Sequence, residues 1–287
     1  MHVILGGTGH VGSAVTEALL SRGEAVTVVA HHRDKARSLE KRGAHIEAAD
    51  VRDTDALRRV YRRGERLFML NPPADTATDT QAQERETVAS MLRALGNSGI
   101  TKVVAESAFG ARPGDLLGDL NVLYEMEQGL ERSGVPVSVI RAAYYMSNWE
   151  SALASAKEEG ILRTFFPADL KIPMVAPRDL GEVAARLLTA PVEQTERVYV
   201  EGPVRYSSAD VARAFSAALS RGIKVEAIPE SAWIPAYKSL GFSERAATSY
   251  ANMTRTVCEE DFPPVGSTLH GKVSLDEYIR ELVTARA

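Results

Sequence analysis

Short apolar runs alternate with helical periods over the first 140 residues. Val3-Ile4-Leu5 is one such run, and Val11, Ala14, Val15, Ala18 and Leu19 then recur at the i, i+3, i+4, i+7, i+8 spacing of a single helix face. Gly23 stops that helix. Further strands are predicted at Ala25 to Ala30, His45 to Ala49, Arg66 to Leu70, Lys102 to Glu106 and Val137 to Ile140. Helices are predicted between them at Lys35 to Arg42, from Asp53 or Thr54 to Arg63, at Thr80 to Leu95 and at Leu120 to Arg132. Nearly continuous apolar strands separated by single helices predict an α/β fold, a Rossmann-type doubly wound parallel sheet covered on both faces.

After residue 145 the rhythm changes. Pro167, Pro173 and Pro177 interrupt the chain. A helix is predicted at Leu180 to Leu188 and a strand at Val198 to Glu201. A helix from Ser207 turns Val211, Phe215 and Leu219 inward, and Ser274-x-x-Glu277 reads as a capping box opening the last helix. Residues 1–145 are therefore expected to form the main domain and 146–287 a smaller C-terminal α/β lobe, with about 180–202 returning to the main sheet.

The first βα turn carries the strongest chemical signal. Gly6-Gly7-Thr8-Gly9-His10-Val11-Gly12 satisfies G-x-G-x-x-G at Gly7, Gly9 and Gly12, between an apolar strand and an amphipathic helix. Small residues there allow a tight turn and close approach of the backbone to a pyrophosphate, which the helix N-terminus favours. The adenosine end of a dinucleotide is read after the second strand. Ala30-His31-His32-Arg33-Asp34-Lys35 puts no carboxylate at the strand end. His31, Arg33 and Lys35 suit a 2′-phosphate, so NADP(H) is favoured over NAD(H), with Asp34 the residue that keeps NAD(H) open. Asp50 and Val51 follow the third strand and are candidates for the adenine; Asn71 and Pro72 follow the fourth and are candidates for the ribose.

Composition narrows the remaining classes. Lys plus Arg number 34 against 38 Asp plus Glu, a net charge of −4, which argues against general nucleic-acid binding. Cys258 is the only cysteine, so neither an intrachain disulfide nor a cysteine zinc site is available. His31 and His32 are adjacent rather than helically spaced, and no metal is expected. Arg58, Arg59, Arg62, Arg63 and Arg66 read as a solvated face. No apolar run is long enough for a membrane span, and the first strand starts too early for a signal peptide, so a cytoplasmic protein is expected.

Together, these stretches resemble the NmrA-like branch of the atypical short-chain dehydrogenase/reductases, including its bacterial quinone and triphenylmethane-type reductases. The resemblance rests on the glycine loop, Ala49-Asp50-Val51, Glu106 to Ala111, Ser133-Gly134-Val135-Pro136, Arg141 to Asn148, Glu201-Gly202-Pro203 and Leu269-His270-Gly271-Lys272. It implies a Rossmann domain, a small substrate lobe and NADP(H) in the cleft between them. His31 stands where many relatives carry arginine.

Typical short-chain dehydrogenases lower the pKa of a tyrosine with a lysine four residues on. Here Tyr124 is followed at that spacing by Gln128, which brings no charge. Alcohol–ketone chemistry is thus disfavoured, whereas a quinone needs less help because its reduced oxygen is far less basic. Ser107, at the end of the fifth strand, is the candidate to bond a substrate oxygen and to border the cofactor. Tyr144 and Tyr145 are candidates to stack on a flat substrate or donate to it, with Phe109, Asn148 and Trp149 around them. Glu106 is either an unusual acid or a partner of Arg141. The expected activity is NADPH-dependent reduction of a quinone or similar planar small molecule, by a monomer or homodimer. The alternatives are a non-catalytic NADP(H)-binding redox sensor and a tailoring reductase or isomerase on the same scaffold.

Overall fold

A computed structural model describes residues 1–260, 262 and 266–286. The first part alternates strand and helix as predicted: β1 (His2–Ile4), α1 (His10–Ser21), β2 (Val26–Ala30), α2 (Arg37–Lys41), β3 (His45–Ala48), α3 (Thr54–Tyr61), β4 (Arg66–Met69), α4 (Thr80–Leu95), β5 (Lys102–Ala108), α5 (Leu120–Glu131) and β6 (Val137–Ala142). Only α2 is much shorter than its pattern. Arg33–Ala36 form a 3-10 turn before it, because Arg33, Asp34 and Lys35 are all exposed and give no apolar face to hold a longer helix. The second part contains β7 (Tyr144–Tyr145), α6 (Leu153–Glu158), β8 (Ile161–Thr164), β9 (Ile172–Val175), α7 (Pro177–Thr189), β10 (Arg197–Glu201), β11 (Arg205–Tyr206), α8 (Ser208–Leu219), β12 (Lys224–Ala227), α9 (Trp233–Ser239), α10 (Glu244–Glu259), β13 (Ser267–His270) and α11 (Leu275–Ala285).

Eight parallel strands form the main sheet in the order β3-β2-β1-β4-β5-β6-β10-β13. The order reverses between β1 and β4, which opens the crevice where ligands of doubly wound sheets sit. Both α7 and β10 return to the sheet, and β13, which the sequence pattern left unassigned, adds its far edge. On one face α1 and α7 bury Val11, Val15, Leu180 and Ala184 against Ile4, Phe68 and Val104. The two helices meet at Gly181, where a Cβ would lie 2.6 Å from the Ala14 carbonyl carbon. On the other face α3, α4 and α5 bury Leu57, Met91 and Met126 against Val3, Leu67 and Val103.

The smaller lobe holds two short sheets, β11-β9-β7 and β12-β8, and its own apolar cores. Its helix caps follow the sequence with one difference. Ser207 and Asp210 form a complete capping box. Ser274 accepts from the Glu277 N–H at 3.2 Å, but the Glu277 carboxylate turns to Arg178, so that box is half made. The arginine run is also less uniform than a solvated face. Arg66 is half-buried and donates to the Leu188 and Ala190 carbonyls. The fully buried Lys102 ammonium likewise donates at 2.9 Å to the Pro191 and Gln194 carbonyls, past the C-terminus of α7. These two cations take partial negative charge in place of a carboxylate and fasten α7 to the sheet.

Candidate active site

The glycine loop is set by steric necessity. Gly6 adopts a left-handed φ of +64° and its carbonyl accepts from the Gly9 N–H at 2.9 Å. A Cβ on Gly7 would lie 2.4 Å from Val28 Cγ1, and one on Gly12 only 2.2 Å from the Gly6 carbonyl oxygen. Gly12 therefore lets α1 approach the loop's own backbone. Thr8, Gly9 and His10 stay exposed at the positive end of α1, and Val11 is buried in the core below. The His10 imidazole stands 3.5 Å from Glu150 of the smaller lobe.

The adenosine-side candidates lie along the same edge. His31, Arg33 and Lys35 are exposed beyond β2, and the Arg33 guanidinium rests on Glu40 at 2.6 Å. Asp50 accepts from the Arg52 N–H at 2.9 Å and from its guanidinium, which holds the carboxyl below the usual range. Val51 and Pro72 are half-buried near the ends of β3 and β4. Asn71 is the most telling residue here: its Oδ1 is buried and has no hydrogen-bond partner among the described residues. The half-buried loop residue Ala74 donates its N–H to Glu84 on α4 at 3.3 Å. The cradle without room for Cβ atoms and the orphaned acceptor fit a nicotinamide dinucleotide.

A cavity of about 580 Å³ opens at the carboxyl ends of β5 and β6. Ala108, Phe109, Ala142 and Ala143 lie on the sheet side, and Tyr144, Tyr145 and Asn148 follow. Phe165 and Phe166 line it from the smaller lobe, together with Tyr250, Met253, Val257 and Cys258 on one face of α10. Phe165 stacks on Tyr237 at 4.1 Å and 6° between ring planes. Tyr144 meets Phe166 edge-on at 5.4 Å. The i, i+3, i+7, i+8 spacing of the α10 residues was a readable helical signal in the sequence, as was the Phe165-Phe166 pair. Burial pushes the Cys258 thiol up to about 11, so it is a poor nucleophile and serves as wall.

Several predicted residues fall elsewhere. Ser107 is buried on the α5 side of the sheet and donates to Glu127 at 2.5 Å, because alternation along β5 turns it away from the cavity. Trp149 is buried in the core of the smaller lobe beside Tyr144 rather than in the cavity wall. Tyr124 packs against the α4–α5 core. Glu106 does not pair with Arg141, which holds Glu127 through two hydrogen bonds. Instead Glu106 Oε1 accepts from the Tyr145 hydroxyl at 3.1 Å, while Oε2 is buried with no partner among the described residues. Burial pushes the Glu106 carboxyl up to about 8 and Tyr145 well above its ordinary value. Two acids near the cavity had no sequence signal at all. Glu84 is pushed up to about 7 by burial and then by Asp119. Asp119 is itself raised by burial. Among the described residues no three His, Cys, Asp or Glu side chains gather as a metal site requires, and no helix is long and apolar enough to cross a membrane.

The family model described as NmrA-like family matches residues 2–279. The chain belongs to the NmrA-like family. This NmrA-like protein is similar to the NAD(P)H azoreductase of Xenophilus azovorans, at 27% identity over 86% of this chain and 84% of that protein. It is similar to quinone oxidoreductase 2 of Escherichia coli at 24% identity over 88% and 86%. Among solved structures, the Citrobacter sp. triphenylmethane reductase complexed with NADP(H) superposes with a TM-score of 0.79 at 16% identity, covering 98% of this chain and all of the other. That likeness concerns the fold.

Proposed function

We propose that this NmrA-like protein is an NADPH-dependent oxidoreductase that passes a hydride to a quinone or a similarly flat, electrophilic acceptor. The observation that carries this reading is the aromatic-lined cavity at the carboxyl ends of β5 and β6, on the same sheet edge as the glycine loop. Pockets for flat organic ligands are mostly apolar with few polar groups, and this one is walled by rings. The curated relatives named above, an azoreductase and a quinone oxidoreductase, favour the same chemical class.

NADPH, when bound, supplies the hydride. The backbone from Gly6 to Gly12 takes the pyrophosphate at the start of α1. Asn71 Oδ1 accepts from a ribose hydroxyl, which would satisfy its orphaned oxygen. Asp50 and Val51 border the adenine, and Pro72 holds the end of β4 beside the ribose. His31, Arg33 and Lys35 receive the 2′-phosphate, for which Arg33 must leave Glu40. Phe109, Tyr144, Tyr145 and Asn148 orient the acceptor and exclude water from it.

The purified chain should consume NADPH when quinones or azo compounds are added, followed by absorbance. Cofactor binding seen by fluorescence without consumption by any acceptor would overturn the reductase reading in favour of a redox-sensing regulator. Arg33→Ala should weaken NADPH binding roughly tenfold more than NADH binding, the scale of one charge-assisted hydrogen bond. Equal weakening of both would remove Arg33 as the phosphate reader.

A further inference from the structure

We propose that Glu106 and Tyr145 form the proton store of this site, with Tyr145 delivering a proton to the acceptor and Glu106 replacing it from behind. The proposal rests on the reductase reading and supplies what the Tyr124/Gln128 spacing lacks. Three observations carry it. Tyr145 lines the cavity, whereas Glu106 does not; the acid lies behind the ring, 3.1 Å from its hydroxyl. Glu106 Oε2 has no partner among the described residues. Only 2% of the residue is exposed, so a carboxylate there would be a buried charge held by a single neutral hydroxyl. The neutral acid is the form that suits the place, and a neutral acid can give its proton away.

The surroundings reinforce that state. Tyr145, from β7, is the hydrogen-bonding group that faces Glu106. Asp119, at the start of α5, acts on Tyr145 and raises its pKa further. α7, packed against β5, turns Leu180 and Ala184 into the apolar core that also takes Val104 from the Glu106 side of the strand. On β6, Ile140 is the residue in register with Glu106. The cations Arg141 and Arg197 engage Glu127 behind the sheet. The carboxyl is accordingly pushed up to about 8 and stays protonated below that pH.

The step balances as follows. Reduction of a quinone carbonyl needs one hydride, supplied by NADPH, and one proton. The Tyr145 hydroxyl, which rests on Glu106 Oε1, turns to the acceptor, its O–H bond breaks and its proton bonds to the acceptor oxygen. The Glu106 O–H bond breaks and that proton restores the tyrosine hydroxyl. The Glu106 carboxylate then takes a proton from water entering the cavity. Tyr145 is the catalytic residue of this pair, and Glu106 is a positioning residue that acts through it.

Two measurements on the full chain test the pair. The first uses cofactor-free protein and infrared difference spectra: wild type should show a protonated-carboxyl band that disappears around pH 8, and Glu106→Gln should lack it. The second compares a benzoquinone, which takes a hydride and a proton, with a triarylcarbenium dye, which takes a hydride at carbon and no proton. Glu106→Gln and Tyr145→Phe should each lower the ratio of quinone to dye turnover roughly 100-fold, the scale of general acid catalysis. Glu106→Gln should also abolish the alkaline fall in quinone turnover. A ratio that stays constant while both rates drop, or a wild-type spectrum without the Glu106 band, overturns the proposal. If wild type reduces neither acceptor but the band titrates, the reductase reading fails while the raised, proton-bearing Glu106 stands.

Discussion

Glu106 and Ser107 are neighbours on β5, yet their side chains enter opposite layers and meet opposite surroundings. Behind the sheet, Ser107 joins a closed network. The fully buried Glu127 accepts from Ser107 Oγ at 2.5 Å and from Arg141 Nε and a terminal guanidinium nitrogen at 3.0 and 2.8 Å, and Arg197 stands 3.6 Å away. Both its oxygens are engaged by strong donors. In front, Glu106 has one hydroxyl donor and one orphaned oxygen. Glu84, near the cavity, is built alike, with the Ala74 N–H on one oxygen and no partner among the described residues on the other. Buried acids thus separate by the number and charge of their donors. Saturated ones hold the fold; under-served ones have their carboxyls pushed up to neutral pH or above it.

The strongest test of this contrast removes the saturated acid. Glu127→Ala should cost about 3–5 kcal/mol, because it strands the largely buried Arg141 guanidinium without its partner. Urea unfolding measures this directly, and a loss below about 1 kcal/mol would dissolve the distinction. Next comes the pH dependence of an under-served acid. The Glu84 carboxyl has an ordinary value of 4.5 and sits at about 7 in the fold. An acid whose folded pKa is raised contributes its full stability below the unfolded value and loses it as pH rises through the folded one. The fold should therefore lose about 3 kcal/mol from this group between pH 4.5 and 7. Glu84→Gln keeps the oxygen that accepts from Ala74 and should flatten that slope. An unchanged slope between pH 5 and 7 would show that Glu84 is solvated after all.

What the sequence made legible follows from where the signal is local. Strand–helix alternation, the Gly6–Gly12 loop and the Ser207 cap are each written within about a dozen residues, and the structure places them within a residue or two of their patterns. The orientation of Ser107 and Glu106 was not local. Both sit at a strand end rich in chemistry, and the strand's period of two says only that they oppose each other. Which face carries α5, and therefore Glu127, depends on the packing of a helix twenty residues on. The cavity wall from α10 was missed for a different reason. Its apolar stripe is readable as a helix face, but the Phe165 and Phe166 rings across the cavity that make it a wall lie in a distant stretch of the chain.

The smallest expected effect is the most discriminating between the two faces. Ser107→Ala removes one of the hydrogen bonds reaching Glu127 and leaves those of Arg141 in place. Glu127 stays held by Arg141, so the cost should be about 1 kcal/mol, the ordinary net value of one hydrogen bond. Because the hydroxyl points away from the cavity, kcat and KM for a quinone should match those of the parent chain. A variant that folds normally yet loses roughly 100-fold in kcat would bring Ser107 back beside the acceptor. That result would require β5 to present both neighbours to one site, which a strand can do only if its pleat is broken at Ser107. In that case the contrast between the two faces would itself have to be redrawn.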